Sequence, residues 1–148
     1  MRGIRVAAIV GASALALAGA GSAAAADAVG LWLTEGGKAR VRVAPYDNAL
    51  CGTIVALKEP TDPDTGRPKT NKRNADASKR SRPMIGVRIL LGMMPSRTPG
   101  QWAGQVYNAE DGKTYTGYIT LTAATSLKLE GCVLGGLICK SQTWTRAK

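Results

Sequence analysis

The residues with the strongest chemical character form a basic run between positions 67 and 82. Seven cationic side chains stand there against one acid, Asp76. Cations at this density can hold a phosphate, a carboxylate or an anionic lipid surface, and arginine can bind such groups with two parallel hydrogen bonds. The run predicts a site for a ligand or another anion, or else a solvated loop that keeps the protein soluble. The candidate residues are Arg67, Lys69, Lys72, Arg73, Lys79, Arg80 and Arg82.

The chain of 148 residues contains no histidine. This excludes Ser-His-Asp and Cys-His nucleophile systems and the zinc sites that need imidazole. A carboxylate pair for acid–base chemistry could come from five acids, yet their spacing gives no reason for two of them to meet. These are Glu35, Glu59, Asp62, Asp64 and Asp111. Asp62 and Asp64 before Gly66 lack the further ligands of a calcium loop. We therefore predict no catalytic residues, no metal site and no cofactor, and a carboxylate-dependent hydrolase is the least favoured function.

Residues 1–26 have the features of an export signal. Arg2 and Arg5 precede 21 uncharged residues, of which eleven are alanine, three glycine and only five valine, isoleucine or leucine. Ala24 and Ala26 fit the A-x-A cleavage pattern, so we predict cleavage before Asp27. The alternative is an uncleaved membrane anchor, which alanine and glycine favour weakly compared with leucine. Residues 27–148 should then reach the periplasm or the exterior as one soluble domain.

Export also decides between partners for the basic run. Of the net charge of +10, two positive charges lie in the signal segment and six in the run. We do not expect nucleic acid, because an exported protein rarely meets it and no aromatic side chain in the run can stack on a base. An anionic lipid or another envelope component is the partner that this location favours.

The dominant hydrophobic period between residues 29 and 146 is two, which is typical of half-buried antiparallel strands. In 114–123, for example, Tyr115, Gly117, Ile119 and Leu121 alternate with threonines and Tyr118. No segment longer than one turn has a helical period. The pattern predicts about eight strands, at 29–35, 38–43, 49–57, 85–91, 102–107, 114–123, 125–133 and 140–146.

Sequential hairpins without crossover helices predict an all-β fold, an antiparallel up-and-down barrel that leaves no exposed sheet edge. A β-sandwich is the competing architecture. The exception to the strand pattern is a long loop at 58–83, which contains four prolines and the basic run. Loops of this length in a compact domain are usually functional or disordered. Within it, Asp76 could cap a single helical turn.

The predicted interior of the barrel consists of mid-sized apolar side chains. An eight-stranded barrel is just wide enough to be filled by side chains or to hold one small ligand. With three Trp, four Tyr and no Phe in the chain, the filling could be incomplete and leave an apolar cavity. The residues predicted to face the interior are Val41, Val43, Ile54, Val87, Ile89, Leu121, Leu127 and Leu129.

Three cysteines occur in the chain, and export permits disulfides. Cys132 and Cys139 flank a six-residue apolar segment where the last two strands meet. We predict a bridge between them, in preference to either pairing with Cys51 or to the reduced state. By alternation, Val133 should share the face of Leu129 while Cys132 lies on the other. Cys51 is then a small buried apolar residue, because no histidine is present to activate its thiol.

Short segments spread over residues 30–146 carry a family resemblance. In chain order they are Gly30-Leu-Trp32-Leu-Thr34-Glu35, Leu50-Cys51-Gly52-Thr-Ile54-Val55, Leu57-Lys58-Glu59-Pro60, Asn74-Ala-Asp76, Arg82-Pro83-Met-Ile85-Gly86, Trp102-Ala-Gly104, Tyr107, Asp111-Gly112-Lys113-Thr-Tyr115 and Thr143-Trp144-Thr145-Arg146. By order and spacing, the chain resembles an uncharacterised family of small exported bacterial proteins, the domain of unknown function numbered 2147. The resemblance implies a lipocalin-like barrel in an envelope compartment and no established activity.

Gly30-x-Trp32 also resembles the lipocalin fingerprint on the first strand. In lipocalins an arginine of the last strand covers this tryptophan and closes the base of the barrel, and Arg146 is the residue in that position here. A guanidinium over an indole face contributes about 0.5–2 kcal/mol. The resemblance therefore implies a structural role for Gly30, Trp32 and Arg146.

Together these features predict an exported lipocalin-like binding protein that is monomeric. A small apolar or amphipathic ligand would occupy the barrel, and the loop at 58–83 would act as a lid whose cations engage an acidic head group. The alternative is an envelope scaffold or interaction protein, which binds anionic lipid or a protein partner through the same loop.

Overall fold

The structure, a computed structural model, describes residues 11–13 and 28–148. The predicted signal segment at 1–26 lies almost wholly outside these residues, so it stays a prediction. Within the described residues, no helix has the length and the apolar character needed to cross a bilayer.

Eight antiparallel strands form a closed barrel in which each strand pairs with the next and β8 returns to β1. This confirms the up-and-down barrel over the sandwich. The strands are β1 (Gly30–Leu33), β2 (Ala39–Tyr46), β3 (Ala49–Leu57), β4 (Arg88–Pro95), β5 (Gln101–Asn108), β6 (Lys113–Ala123), β7 (Ser126–Val133) and β8 (Ile138–Arg146).

The predicted start of the fourth strand is wrong, and burial departs from the strand pattern at the end of the seventh. The fourth strand begins at Arg88 rather than at residue 85, because Val87 closes a turn onto the carbonyl of Met84 and Gly86 has a left-handed φ of 102°. At the end of β7, Cys132 is buried and Val133 is exposed. The faces still alternate as predicted, since Leu129 pairs with core residue Ile119 and Cys132 pairs with Thr116 on the other face. Only the burial is reversed there, because the inner face is no longer packed at this end while Cys132 is covered on the outside.

The connections between strands alternate between the two ends of the barrel, because consecutive strands are antiparallel. One end, which we call the closed end, holds the turns at 47–48, 96–100 and 124–125 together with both termini of the barrel. The other, the loop end, holds the connections at 34–38, 58–87, 109–112 and 134–137. The basic run and the disulfide hairpin therefore lie at the same end.

Trp32 and Arg146 seal the closed end. The Arg146 guanidinium lies 4.3 Å from the centre of the Trp32 ring, and it also donates hydrogen bonds to the carbonyls of Ala124 and Val29. Gly30 makes room for this arrangement, since a Cβ there would lie 2.7 Å from an Arg146 nitrogen. Gly30, Trp32 and Arg146 thus lie in mutual contact at the closed end.

The interior next to the closed end is filled. All three tryptophans, Trp32, Trp102 and Trp144, lie in the core, so their bulk compensates for the missing phenylalanines. A side chain without any accessible surface has no room for a water molecule beside it. The apolar residues with none are Ala28, Trp32, Val41, Val43, Leu90, Met93, Ile119 and Leu127.

Most of the predicted interior residues lie in this core. Val87 and Leu121 differ from the others, because they are only half-buried and pack against its edge. Core positions that the strand patterns did not single out include Leu50, Leu90, Met93 and Val106.

Candidate functional site

The loop at 58–83 is tied into a defined structure by its own backbone. Two isolated bridges, Thr61 with Pro68 and Thr70 with Pro83, divide it into smaller turns. A short 3-10 helix follows at Ala77–Lys79, and the Asp76 carboxylate accepts a hydrogen bond from the Ser78 amide at 3.0 Å. The single helical turn capped by Asp76 is therefore confirmed.

The loop docks on the outer side of the barrel. Trp102 and Val106 lie on the inward face of β5. Tyr107, the next residue, therefore points outward, although it too is buried. Its hydroxyl donates a hydrogen bond of 2.6 Å to the side-chain oxygen of buried Asn71 in the loop. The loop is thus held against the wall of the barrel, and its role as a lid over an interior ligand stays a prediction.

A glycine in the β5–β6 turn receives the backbone of the loop. A Cβ at Gly112 would lie 1.6 Å from the Arg73 carbonyl oxygen, and its φ of 74° is left-handed. Across the same contact, the Arg73 guanidinium donates to the carbonyl of Glu110 at 2.7 Å. Gly112 is therefore required both for the turn and for the close approach of the loop.

The seven cations of the basic run divide into two groups. Four stabilise the loop itself: Lys72 pairs with Asp62 at 3.0 Å, Lys69 with Glu59 at 4.0 Å, Arg73 contacts Glu110, and Arg80 donates to the carbonyl of Asn74. Among the described residues, the charged groups of the other three make no ion pair or hydrogen bond. These are Arg67, Lys79 and Arg82.

An open cleft of about 1220 Å³ lies between the loop and the outer face of the barrel. Across β4 to β7, Leu91, Gln105, Thr116 and Cys132 are successive register partners, so they share the outer face with Tyr107. All of these except Gln105 line the cleft. From the loop side its lining includes Lys79, Arg82 and Ile85, and from the strands Lys113, Tyr115, Val133 and Leu134.

The cleft is polar and cationic on one side and apolar on another. The hydrogen bonds from the Ser78 hydroxyl and amide lower the pKa of Asp76, and the charges of Lys79 and Arg82 lower it further. The Tyr115 hydroxyl donates to Asp111, which lowers the pKa of that carboxyl and raises the pKa of the tyrosine. The site therefore keeps its carboxylates ionised while lysine and arginine remain available for an anion.

The carboxylates considered for a hydrolase have different neighbouring groups. Glu59 lies beside Lys69, and the pKa of Asp62 is lowered first by the backbone amide of Asp64 and then by Lys72. Glu35 lies in an exposed 3-10 turn between β1 and β2. Each of these acids has a structural setting of its own.

Cys132 and Cys139 form the predicted disulfide, across directly opposed residues of β7 and β8 with a Cα separation of 4.1 Å. The bridge fits an exported protein. Cys51 is a free cysteine and only half-buried. The prediction that it is buried is wrong, because Leu50 and Gly52 take the inward positions of β3 and direct Cys51 outward.

Comparison with known proteins agrees with this architecture. Residues 30–146 match the family described as an uncharacterized protein conserved in bacteria, DUF2147. The chain belongs to this family. The family match spans every strand of the barrel, from Gly30 to Arg146, and so includes both ends of the structure.

A solved structure shares the fold. The chain is similar to protein HP1028 from Helicobacter pylori, described as belonging to the lipocalin family, with a TM-score of 0.66 and 21% sequence identity. The similarity covers 81% of this chain and 82% of that one. A search of curated proteins found no match. The family member described here is thus a lipocalin-like barrel.

Sequence reasoning located the basic run but missed the residues opposite it. Lys113, Leu91 and Thr116 look like ordinary strand positions, and only the docking of the loop brings them to the cleft. One signal was available: the segment between the cysteines is apolar, whereas turns usually carry polar residues. That segment supplies Val133 and Leu134.

Proposed function

We propose that this protein binds a small amphipathic molecule with an acidic head group in the cleft beside the basic loop. The observation that carries the proposal is the composition of that cleft. Lys79, Arg82 and Lys113 offer charges for an anion, while Leu91 and Leu134 offer apolar contact. The lipocalin-like fold fits the binding of a small ligand.

The position of the ligand follows from the packing. Side chains such as Trp32, Leu90 and Ile119 leave no accessible space around them in the interior, so an acyl chain there would have to displace core residues. The cleft on the outer wall is open already. Its volume of about 1220 Å³ is ample for a ligand of the size that proteins commonly hold.

The recognition chemistry is electrostatic at one end of the ligand and hydrophobic at the other. Arg82 can present two parallel donors to a carboxylate or a phosphate, and Lys113 adds a point charge. Burial of methylene groups against Leu91 and Leu134 supplies the remaining affinity. We propose binding rather than catalysis, because the carboxylates of the loop are engaged in holding its shape.

Titration with a dansyl-labelled fatty acid and with its uncharged methyl ester tests this proposal. Thr116→Trp places a large side chain in the cleft from an exposed strand position, and it should weaken binding of the acid at least about tenfold. Thr143→Trp, at an exposed position on β8 outside the cleft, is the matched control and should bind as the wild type does. Equal affinity of Thr116→Trp and wild type would overturn the cleft as the site.

The charge requirement is tested separately. Lys113→Gln should weaken binding of the fatty acid several-fold, about 1 kcal/mol for a partly exposed ion pair, and leave the ester unchanged. Arg42→Gln removes the same charge from the exposed wall of β2 and serves as the control. If both variants affect the acid equally, the effect is one of net charge and the assigned head-group site is wrong.

A further inference from the structure

The connection between β7 and β8 exposes four large apolar side chains together. Leu137 is 86% exposed, Leu134 69%, Ile138 56% and Val133 40%. We call residues 133–138 the apolar tip. Clustered exposed apolar residues mark interaction surfaces, whereas single ones are ordinary. The apolar tip therefore indicates an interaction surface for a partner that offers apolar contact.

The apolar tip is held in shape before it meets that partner. The Cys132–Cys139 disulfide closes it at its base. Leu134, Gly135 and Gly136 have left-handed φ angles of 54°, 66° and 94°, an arrangement that bends the chain sharply within a 3-10 turn. A preformed loop loses less conformational freedom on binding than a flexible one.

The hairpin that carries the apolar tip stands free of the barrel wall on one side. β1 pairs with β8 only through Trp32 with Arg146 and Leu33 with Thr145. In the part of the chain that the structure describes, Ile138–Thr143 of β8 thus has a strand neighbour on the β7 side alone, and all of its residues are exposed. The apolar tip is accessible to a large, flat partner.

Cations lie next to the apolar tip. Val133 and Leu134 line the same cleft as Lys79 and Arg82, whose charged groups make no ion pair among the described residues. The acids nearby already have partners: Asp76 accepts hydrogen bonds from Ser78, Glu110 pairs with Lys38, and Asp111 accepts from Tyr115. Apolar side chains beside available cations complement an anionic bilayer, which presents acyl chains beneath negative head groups.

We propose that the apolar tip and the adjacent cations dock this protein on the surface of an anionic lipid bilayer. Leu134, Leu137 and Ile138 enter the boundary between head groups and acyl chains, and Lys79 and Arg82 contact the head groups. The closed end then points away from the membrane. This docking goes beyond the proposed function and does not require a ligand in the cleft.

Co-sedimentation with vesicles tests the docking. The protein is exported by a bacterial host, purified from its envelope and checked by mass so that all variants have the same N-terminus. Wild type should bind vesicles of phosphatidylcholine with phosphatidylglycerol, and bind pure phosphatidylcholine poorly. Leu137→Ser with Ile138→Ser should lower this binding about tenfold or more. The control is Met94→Ser, an exposed apolar residue near the closed end, which should leave binding unchanged.

The contribution of the charges is tested with a second double variant and a matched control. Lys79→Gln with Arg82→Gln should lower binding about tenfold, and Arg42→Gln with Arg97→Gln, which removes the same charge elsewhere, should lower it much less. Wild type that stays in solution with both vesicles overturns the proposal and leaves a protein partner for the apolar tip. Binding that survives the double serine variant also overturns it, since charge alone then explains the attraction.

The two proposals fail in different ways. Leu137 and Ile138 do not line the cleft, so the double serine variant should bind the dansyl-labelled fatty acid as wild type does. Loss of vesicle binding with fatty-acid binding intact supports docking as a separate property. Loss of both vesicle binding and fatty-acid binding in this variant would indicate an unfolded hairpin. Thermal melting is the control, because a melting temperature near that of the wild type excludes unfolding.

Discussion

The two ends of this barrel use the same kinds of residue for opposite purposes. At the closed end, a tryptophan and an arginine stack and the arginine also satisfies backbone carbonyls. At the loop end, arginines and lysines project into a cleft, and leucines project from a hairpin tip. Apolar and cationic side chains that meet each other seal a structure, whereas those that remain separate are available for a partner.

The largest expected difference between the ends is in stability. Trp32→Ala removes a fully buried side chain and should lower the free energy of unfolding by about 3–5 kcal/mol, measured by urea denaturation. Leu137→Ala at the loop end should change it by less than about 0.5 kcal/mol. If the tip variant proves as costly as the core variant, the apolar tip is part of the core in solution and the contrast between the ends disappears.

Removal of the disulfide should have the next largest effect on stability. Cys132→Ser with Cys139→Ser opens a short loop and should cost about 2–3 kcal/mol in unfolding free energy by the loop-entropy estimate. Cys51→Ser is the control, because that thiol is not bridged. Vesicle binding should fall together with stability in the double variant. Unchanged vesicle binding would show that the apolar tip does not need its closed shape.

A smaller effect is expected where the basic loop meets the barrel. Tyr107→Phe removes the hydroxyl that donates to buried Asn71, and an unsatisfied buried polar group costs about 1–3 kcal/mol. Hydrogen exchange should speed up in residues 60–83 and stay unchanged around Trp32. Tyr118→Phe, on the wall of β6, is the matched control. Uniform acceleration across the barrel would mean that loop and barrel open together.

The smallest effect concerns pH. The pKa of Asp62 is lowered by the Asp64 amide and by Lys72, so its ionised form stabilises the folded loop above the ordinary pKa of 3.8. This stabilisation should be lost as the pH falls from that value through the lowered one. Amide chemical shifts at Asp64 and Gly66 should move in this window before those of the closed end.

A substitution at the same site sharpens that test. At neutral pH, Asp62→Asn should already show the amide chemical shifts that the wild-type loop shows only in acid, because the neutral amide cannot form an ion pair with Lys72. Asp64→Asn, which leaves the backbone donor in place, should not. If the closed end titrates first, the loop is not the weaker of the two regions.

Much of the barrel could be predicted because strand alternation is a local property. Each strand repeats every two residues, and its turns contain residues suited to them, so β6 and most of β7 are evident from their composition. The prediction failed at the start of β4. At Val133 and Cys132 the predicted faces are correct, but neighbours rather than periodicity decide which of the two side chains is covered. The disulfide was predictable, since a short hairpin brings its cysteines together.

The candidate site was only half predictable. The seven cations lie close enough together in the chain to be recognised as a group. Which of them hold the loop and which remain free of ion pairs among the described residues depends on the positions of Asp62, Glu59 and Glu110. Lys113 and Leu91 joined the site without any local signal. They do so because Tyr107 and Gly112 receive the loop on the outer wall.

By itself the sequence determined an all-β chain with an antiparallel barrel, a basic loop and a bridged last hairpin, because periodicity, turn chemistry and short spacings are recorded locally along the chain. The tryptophan–arginine pair was implied only by the resemblance to lipocalins. Only the tertiary structure decided that three tryptophans fill the interior and that the loop docks outside it. Packing sums contributions from residues far apart in sequence, and no local pattern contains that sum. The cleft and the exposed tip are consequences of that packing.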